Sequence, residues 1–339
     1  MGTLSYIAAL ATYIPIFAIV SWGLNIQFGL TGILNFSVMT FVAAGAYLFG
    51  VTSIGPSAPG YSYIIGWHLP FPIPNLIGGV AGGLVGLVFG LIALRRLRLE
   101  HQGIFMLVAG LVVFDVVTNY RPLFNGQDGL YALPQPFFGV LNMGQQEYQF
   151  VFLGICCVFA AFAYWLMRVV DLSPLGRLMR AVRDNPKAVD ALGRNSFRVR
   201  LIAMVLGCFL CAIGGGLLAT LATAFNSGSW QTPDTFGVWM AMLVGGAGNR
   251  WGMVLGAAVT YEVGEGTRAI PSFASHPALV ADLRLVLTGV VLILFLRFRP
   301  QGILPDKRPR YDRSAAGARK AISATDAPAA GAYAQPSGS

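Results

Sequence analysis

The chain has 339 residues, of which 55% are hydrophobic and only 11% charged, and its formal net charge is +9. Soluble domains carry roughly 25% charged residues, whereas no Asp, Glu, Lys or Arg occurs here before Arg95. That excludes a soluble globular chain and leaves a polytopic helical membrane protein, because several apolar runs reach the ~20 residues that cross a ~30 Å hydrocarbon layer. The positive charge gathers beside those runs, which ties it to membrane orientation rather than to nucleic acid.

Residues 4–27 form the first predicted span. They lack a basic start and a small-residue cleavage site, so no removable signal peptide is expected. In residues 29–50 the apolar pattern is interrupted at Gly29, Thr31 and Gly32, and Asn35 or Ser37 can cap a helix that restarts. The segment is either an ordinary loop between spans or a broken helix lining a cavity. In the second case Thr31 and Asn35 are candidate translocation-pathway residues. Residues 52–75 hold Trp67 and His68 without an ionised side chain and read as an external loop with interfacial aromatics. In residues 76–94, Gly78, Gly82, Gly86 and Gly90 recur every fourth position. Such a smooth stripe lets a neighbouring helix approach closely. Arg95, Arg96 and Arg98 then mark a cytoplasmic end.

Residues 103–120 form the next span and contain Asp115. A carboxylate there costs a few kcal/mol unless it is paired or wetted. It is a candidate pathway residue or a hydrogen-bonded packing residue. Residues 121–149 read as an external loop with a turn-rich cluster at 125–130. Residues 150–167 return inward with Cys156 and Cys157, while Cys208 and Cys211 lie in a later apolar run. This CxxC has no polar context, so neither a metal site nor a disulfide framework is implied.

The basic segment 173–200 carries Arg177, Arg180, Arg183, Lys187, Arg194, Arg198 and Arg200 against Asp184 and Asp190. Basic residues beside spans stay cytoplasmic. Asn185 before Pro186 is a helix start, with Asp184 near its positive end. Gly193 is a natural stop. These signals predict a two-turn helix over 187–192, with Ala188, Ala191 and Leu192 on one face. That face suits docking into a groove on another protein. The alternative is a solvated loop that only sets topology.

Residues 201–225 form another span, with Gly214, Gly215 and Gly216 allowing a bend or tight packing. Residues 236–248 form a short span or re-entrant element, and residues 251–268 carry a second smooth stripe through Gly252, Gly256, Thr260 and Gly264. Glu265 can pair with Arg268, and Glu262 lies beside them. Residues 283–298 form the final span and lead into a basic stretch. From about residue 312 the composition predicts disorder. The architecture expected is all-α, with about nine spans (eight to ten), the N-terminus outside and the C-terminus inside. Residues 1–300 form the membrane domain and 301–339 a cytoplasmic, mostly disordered tail. The chain has no GxxxxGKS/T phosphate loop, no HExxH and no GxSxG, so no ATP binding, metal, cofactor or enzymatic activity of its own is expected.

Several of these stretches, in order, resemble the permease subunits of branched-chain amino-acid ABC importers. The resemblance rests on Gly29, Thr31, Gly32, Gly45, Ala46 and Tyr47; on the start of the span holding Asp115; on GQDGL at 126–130; and on 244–257 and FRPQG at 298–302. In the basic segment Asp184, Asn185, Ala188, Ala191, Leu192, Gly193, Phe197 and Arg198 match, while Pro186 and Val189 depart from the pattern. The second of the family's two permease types is the more similar. The resemblance implies an inner-membrane importer subunit without bound ATP. Its partners would be a second permease in a heterodimer, two ATP-binding cassette subunits and an extracytoplasmic solute-binding protein. The implied cargo is a branched-chain or other hydrophobic amino acid, with urea, short amides or aromatic acids as alternatives. The implied coupling residues are Asp184, Asn185, Pro186, Ala188, Ala191, Leu192, Gly193 and Arg198. A self-contained secondary transporter and a membrane enzyme using Asp115, Glu262 or Glu265 are the competing classes, and the chain lacks the ionised relay and the catalytic set that these need.

Overall fold

The computed structural model describes residues 3–56, 63–97, 99–138 and 144–262, together with 286, 289, 290, 293, 297 and 302–304. Helix α1 (Thr3–Leu24) runs into a π-helical turn, Asn25–Leu30, and α2 (Val38–Ser53) restarts after an unwound stretch. Then follow α3 (Ile73–Arg96), α4 (Leu99–Asn119) and the single turn α5 (Arg121–Phe124). Helix α6 (Gln145–Leu172) leads to α7 (Pro174–Asp184) and α8 (Pro186–Ala191). Helix α9 is Ser196–Ala222, α10 is Thr232–Gly245, and α11 (Arg250–Ala257) continues as a π turn, Ala258–Glu262. Among the described residues five helical segments are long and apolar enough to cross a membrane: Ile7–Leu30, Ile73–Arg95, His101–Asn119, Glu147–Leu172 and Ser196–Ala222.

The centre of the bundle is α9, packed on α1, α2 and α3. Glycine makes that possible. A Cβ added at Gly86 would sit 2.6 Å from both Cβ and Sγ of Cys208, and one at Gly78 would sit 2.6 Å from the Gly45 carbonyl. At Gly90 it would meet Leu201 at 2.7 Å, and at Gly82 it would run into Ala212. Backbones therefore touch where side chains would otherwise interdigitate, and dispersion along the seam holds the helices together. Gly252 and Gly256 do the same between α11 and α10, facing Gly245 and Ala241. Helices α4 and α6 lie at the rim and expose much of their length.

The bundle has one polar, basic end. There α7 and α8 lie beside the π turn, the start of α9 and the α10–α11 corner. At the opposite end β1 (Leu130–Tyr131) pairs antiparallel with β2 (Ala224–Phe225), and Tyr63 bridges to Phe124. This two-residue ladder sits in an otherwise helical fold, in keeping with the all-α expectation. It satisfies backbone groups where two connections meet.

The basic segment is also more ordered than its charge implied. It holds two helices, and α9 begins at Ser196, so Arg198 and Arg200 belong to a long helix rather than to a loop. Just ahead of α10, Trp230 Nε1 donates to the hydroxyl of Tyr47 in α2 at 3.3 Å, and the first turn of α10 meets that of α2. Helix α10 finishes near the π turn, where the Gly248 N–H donates to Asn25 Oδ1 at 2.8 Å. Its 14 residues span about 21 Å, short of a full crossing. The N–H groups of Ile303 and Leu304 complete its end by donating to the Val244 and Gly245 carbonyls at 2.8 and 3.1 Å. The expectations for Gly264, Glu265, Arg268, the Glu262 side chain, most of the final span and the tail after residue 304 fall outside the described residues.

Candidate functional site

Helix α7 starts because Ser173 caps it, its hydroxyl accepting the Gly176 N–H at 3.2 Å, with Pro174 at the first helical position. It stops at Asn185, whose own side chain accepts the Ala188 N–H at 3.1 Å and so starts α8. One residue thus ends one helix and opens the next. Pro186 takes the first position of α8, since it lacks the N–H that would otherwise go unbonded. Gly193 closes the helix at φ +76°, with its N–H on the Asp190 carbonyl at 3.0 Å and the Arg194 N–H on Val189 at 3.2 Å. The Asp190 carboxylate then accepts both the N–H and the hydroxyl of Ser196 at 2.9 Å. Asn195 caps α9 by accepting the Arg198 N–H at 3.0 Å. Three caps in succession make 173–198 a stiff elbow rather than a slack loop.

The elbow has two faces. Gly176, Met179 and Val182 of α7 and Val189 of α8 are buried. Ala188, Ala191 and Leu192 face outward, and Leu192 is 83% exposed. An apolar side chain held that far out by a capped helix is a ready contact for another protein. Val189, which departs from the family pattern, is the residue that pins α8 down.

Two arginines of α7 tie the elbow to the bundle. Arg183 donates to the Gly29 carbonyl inside the π turn. Arg180 donates to the Asp171 carboxylate, whose second oxygen lies 3.6 Å from Arg250 Nε at the start of α11. The Arg250 carbonyl accepts Trp22 Nε1 at 2.8 Å. The Asp171 side chain is only 14% exposed, so its two cationic neighbours are screened little by water. Composition gave no sign of these ties, because their partners lie 9 to 154 positions away.

The break between α1 and α2 is filled by side-chain amides. Asn35 Nδ2 donates to Gln27 Oε1 at 2.7 Å, and Asn35 Oδ1 accepts the Ser37 N–H and hydroxyl at 2.9 and 3.0 Å. Gln27 Nε2 reaches the Met204 carbonyl at 3.4 Å, Thr31 donates to the Gln27 carbonyl at 2.5 Å, and Trp239 Nε1 donates to the Asn35 carbonyl at 2.8 Å. Asn25, Gln27 and Asn35 are fully buried. Backbone freed from a helix inside a membrane needs such partners. The Ser37 hydroxyl does not cap α2; it serves Asn35. Asp115 stands apart from Thr31 and Asn35, exposed on α4 one turn before its end.

Beside this network lies a narrow cleft, about 10 Å³ in volume and so roomy enough for about one water molecule. Phe36, Ser37, Thr40, Phe114, Trp230 and Thr235 line it. The first turns of α2 and α10 meet there, with the Met39 N–H on Thr235 Oγ1 at 3.3 Å. Helix starts, hydroxyls and aromatic side chains meet in this one cleft. Sequence reasoning missed Thr40, Phe114, Trp230 and Thr235; only the break itself was a signal that something lined it.

Residues 6–296 match the family model described as the permease component of branched-chain amino acid transport systems. The chain is 24% identical over 322 residues to the high-affinity branched-chain amino acid transport system permease protein LivM of Salmonella typhimurium, covering 89% of this chain and 70% of that one. It is 26% identical over 338 residues to the probable branched-chain amino acid transport permease LivM of Methanocaldococcus jannaschii, covering 90% and 95%. It is 25% identical over 310 residues to the LivH permease of the corresponding Escherichia coli K12 system, covering 88% and 93%. No solved structure matches. Because the family match runs through every long helix described above, this multi-pass membrane protein belongs to the branched-chain amino acid transport permease family.

Proposed function

We propose that the chain is a permease subunit of an ATP-driven importer that carries branched-chain or other hydrophobic amino acids across the inner membrane. The names of its relatives support that cargo over urea and short amides. Its partners are a second permease, two ATP-binding cassette subunits and an extracytoplasmic binding protein. ATP binds to the cassette subunits. About nine spans, with the N-terminus outside and the basic end in the cytoplasm, complete the reading.

The observation that carries it is the elbow: a capped, outward-facing apolar helix fixed to the broken helix through Arg183. A cassette subunit gripping Ala188, Ala191 and Leu192 moves α8, and Asn185 passes the motion to α7. Arg183 then pulls on the Gly29 carbonyl, and Arg180 pulls on the start of α11 through Asp171. The bundle shifts between two packings, opening the cleft first to one side and then to the other. Nothing is chemically changed, and the cargo moves past the Ser37, Thr40 and Thr235 hydroxyls.

The test is reconstitution with the partner subunits in liposomes, measuring ATP-dependent uptake across a panel of amino acids, urea and aromatic acids. Leucine-like cargo is expected to be taken up best. In the same assay Ala191→Trp lowers uptake about tenfold, a loss of ~1.4 kcal/mol in coupling, while ATP hydrolysis persists. Normal coupled uptake by that variant contradicts the docking role.

A further inference from the structure

Helices α3, α4 and α6 turn apolar ridges away from the bundle. On α3 the ridge runs through Leu76, Val80, Leu84 and Val88, and on α6 through Val158, Phe162 and Trp165. Residues 76–94 and 150–167 hold no ionised side chain, so both ridges suit hydrocarbon. Helix α4 differs. Its inner face holds Met106, Gly110 and Val117, all buried, and a Cβ added at Gly110 would meet the Ser37 Cβ at 2.8 Å. Its outer face holds Ile104, Val108, Leu111, Val112 and Val116, all exposed, with Asp115 exposed among them. Positions 104, 108, 111 and 115 share one side of a helix, so the carboxylate lies within the apolar stripe.

Asp115 also lies inside the end of the bundle. The ring of Phe114, the residue before it, is 5.1 Å from that of Trp230, whose Nε1 donates to Tyr47. Tyr47 stands six residues before Ser53, the last residue of α2, about 9 Å along the helix axis. A carboxylate turned to hydrocarbon at that depth is costly, and such side chains in spanning helices meet a donor or water instead. The residues around Asp115 on this face are apolar. One polar point in an otherwise dry stripe is the pattern of a contact between membrane helices, where a single interhelical bond adds to close packing; a water-filled route would be lined by more polar groups. We propose that this face of α4 seats the second permease subunit, and that Asp115 pairs there with a cationic side chain of that subunit. The inference rests on the importer reading above and assigns the contact to α4, leaving the ridges of α3 and α6 to lipid.

The test uses the assembled complex, purified through a tag on the second permease and returned to liposomes. The exposed Cys157 is replaced by Ser, and nitroxide labels are placed on Leu84→Cys, Val112→Cys and Val158→Cys. Labels at positions 84 and 158 are expected to collide freely with oxygen dissolved in the lipid. The label at 112 should do so about fivefold less often, as in a packed helix contact, and should also be shielded from a water-soluble nickel chelate. Asp115→Leu is expected to lower the amount of this chain recovered with the tagged subunit about tenfold, and Asp115→Asn several-fold, the loss that follows removal of one member of a buried charge pair. The labels leave Asp115 in place and decide the matter if Asp115→Leu fails to fold. In a complex that contains the second permease, oxygen access at 112 equal to that at 84 and 158, ready access of the chelate to 112, or undiminished recovery of Asp115→Leu overturns this inference alone. A wild-type chain recovered with no second permease overturns the importer reading and this inference together.

Discussion

Arg183 connects the surface of the protein to its interior. A hydrogen bond from a charged donor contributes roughly 1.5–3 kcal/mol, enough to transmit movement without holding the fold together alone. Arg183→Ala should therefore leave assembly and ATP hydrolysis intact and lower uptake per ATP about tenfold, while Arg183→Lys keeps part of the coupling. Unchanged uptake per ATP in Arg183→Ala would remove the residue from the transmission route. The sequence marked Arg183 only as one of many positive charges. Its role depends on a carbonyl exposed by a π turn, and nothing local to residue 183 announces that. Asn35 is the reverse case. Its polarity in an apolar run was visible, yet its partners Gln27, Ser37 and Trp239 set what it does, and Trp239 lies 204 positions away. Val189 appeared as a mismatch to a motif and is in fact the apolar anchor of α8.

Among the elements, α8 was legible because its signals are local. Asn185, Pro186 and Gly193 specify a start and a stop within nine residues, and the observed helix, Pro186–Ala191, lies one residue from the predicted one. Helix α7 carried equally local signals, Ser173–Pro174 and the apolar face of Gly176, Met179 and Val182, but its three arginines, Arg177, Arg180 and Arg183, left a solvated loop as an open alternative. The cleft was not legible at all. It forms where the starts of α2 and α10 meet, and no spacing rule joins two helix ends nearly 200 residues apart. If it is the cargo route, Thr235→Val should raise KM for uptake several-fold with little change at saturating cargo, because a polar contact to the cargo is lost while the motor is untouched. Thr235→Ser, which keeps the hydroxyl, should stay near wild type. Equal KM values in all three proteins would move the route elsewhere.

At the scale of the whole molecule, composition was decisive for class and nearly silent on arrangement. Apolar length names the long helices, and charge clusters name one end. The packing of α3 against α2 and α9 follows from glycine spacing, because a methyl group at Gly78, Gly82 or Gly86 has no room. That α10 begins beside the start of α2 depends on contacts across the fold and could be read only as a helix too short to cross. The resulting molecule is a tight glycine-seamed centre with a broken helix at its polar end and a stiff elbow attached to it.

The most direct test of this account is side-specific labelling of Leu192→Cys, with the exposed native Cys157 replaced by Ser. A membrane-impermeant maleimide should label the new thiol in inside-out vesicles that lack the cassette subunits, and adding those subunits should slow labelling about tenfold or more, the protection expected of a buried contact. Labelling from the outside of intact cells, or a rate indifferent to the cassette subunits, would contradict the account.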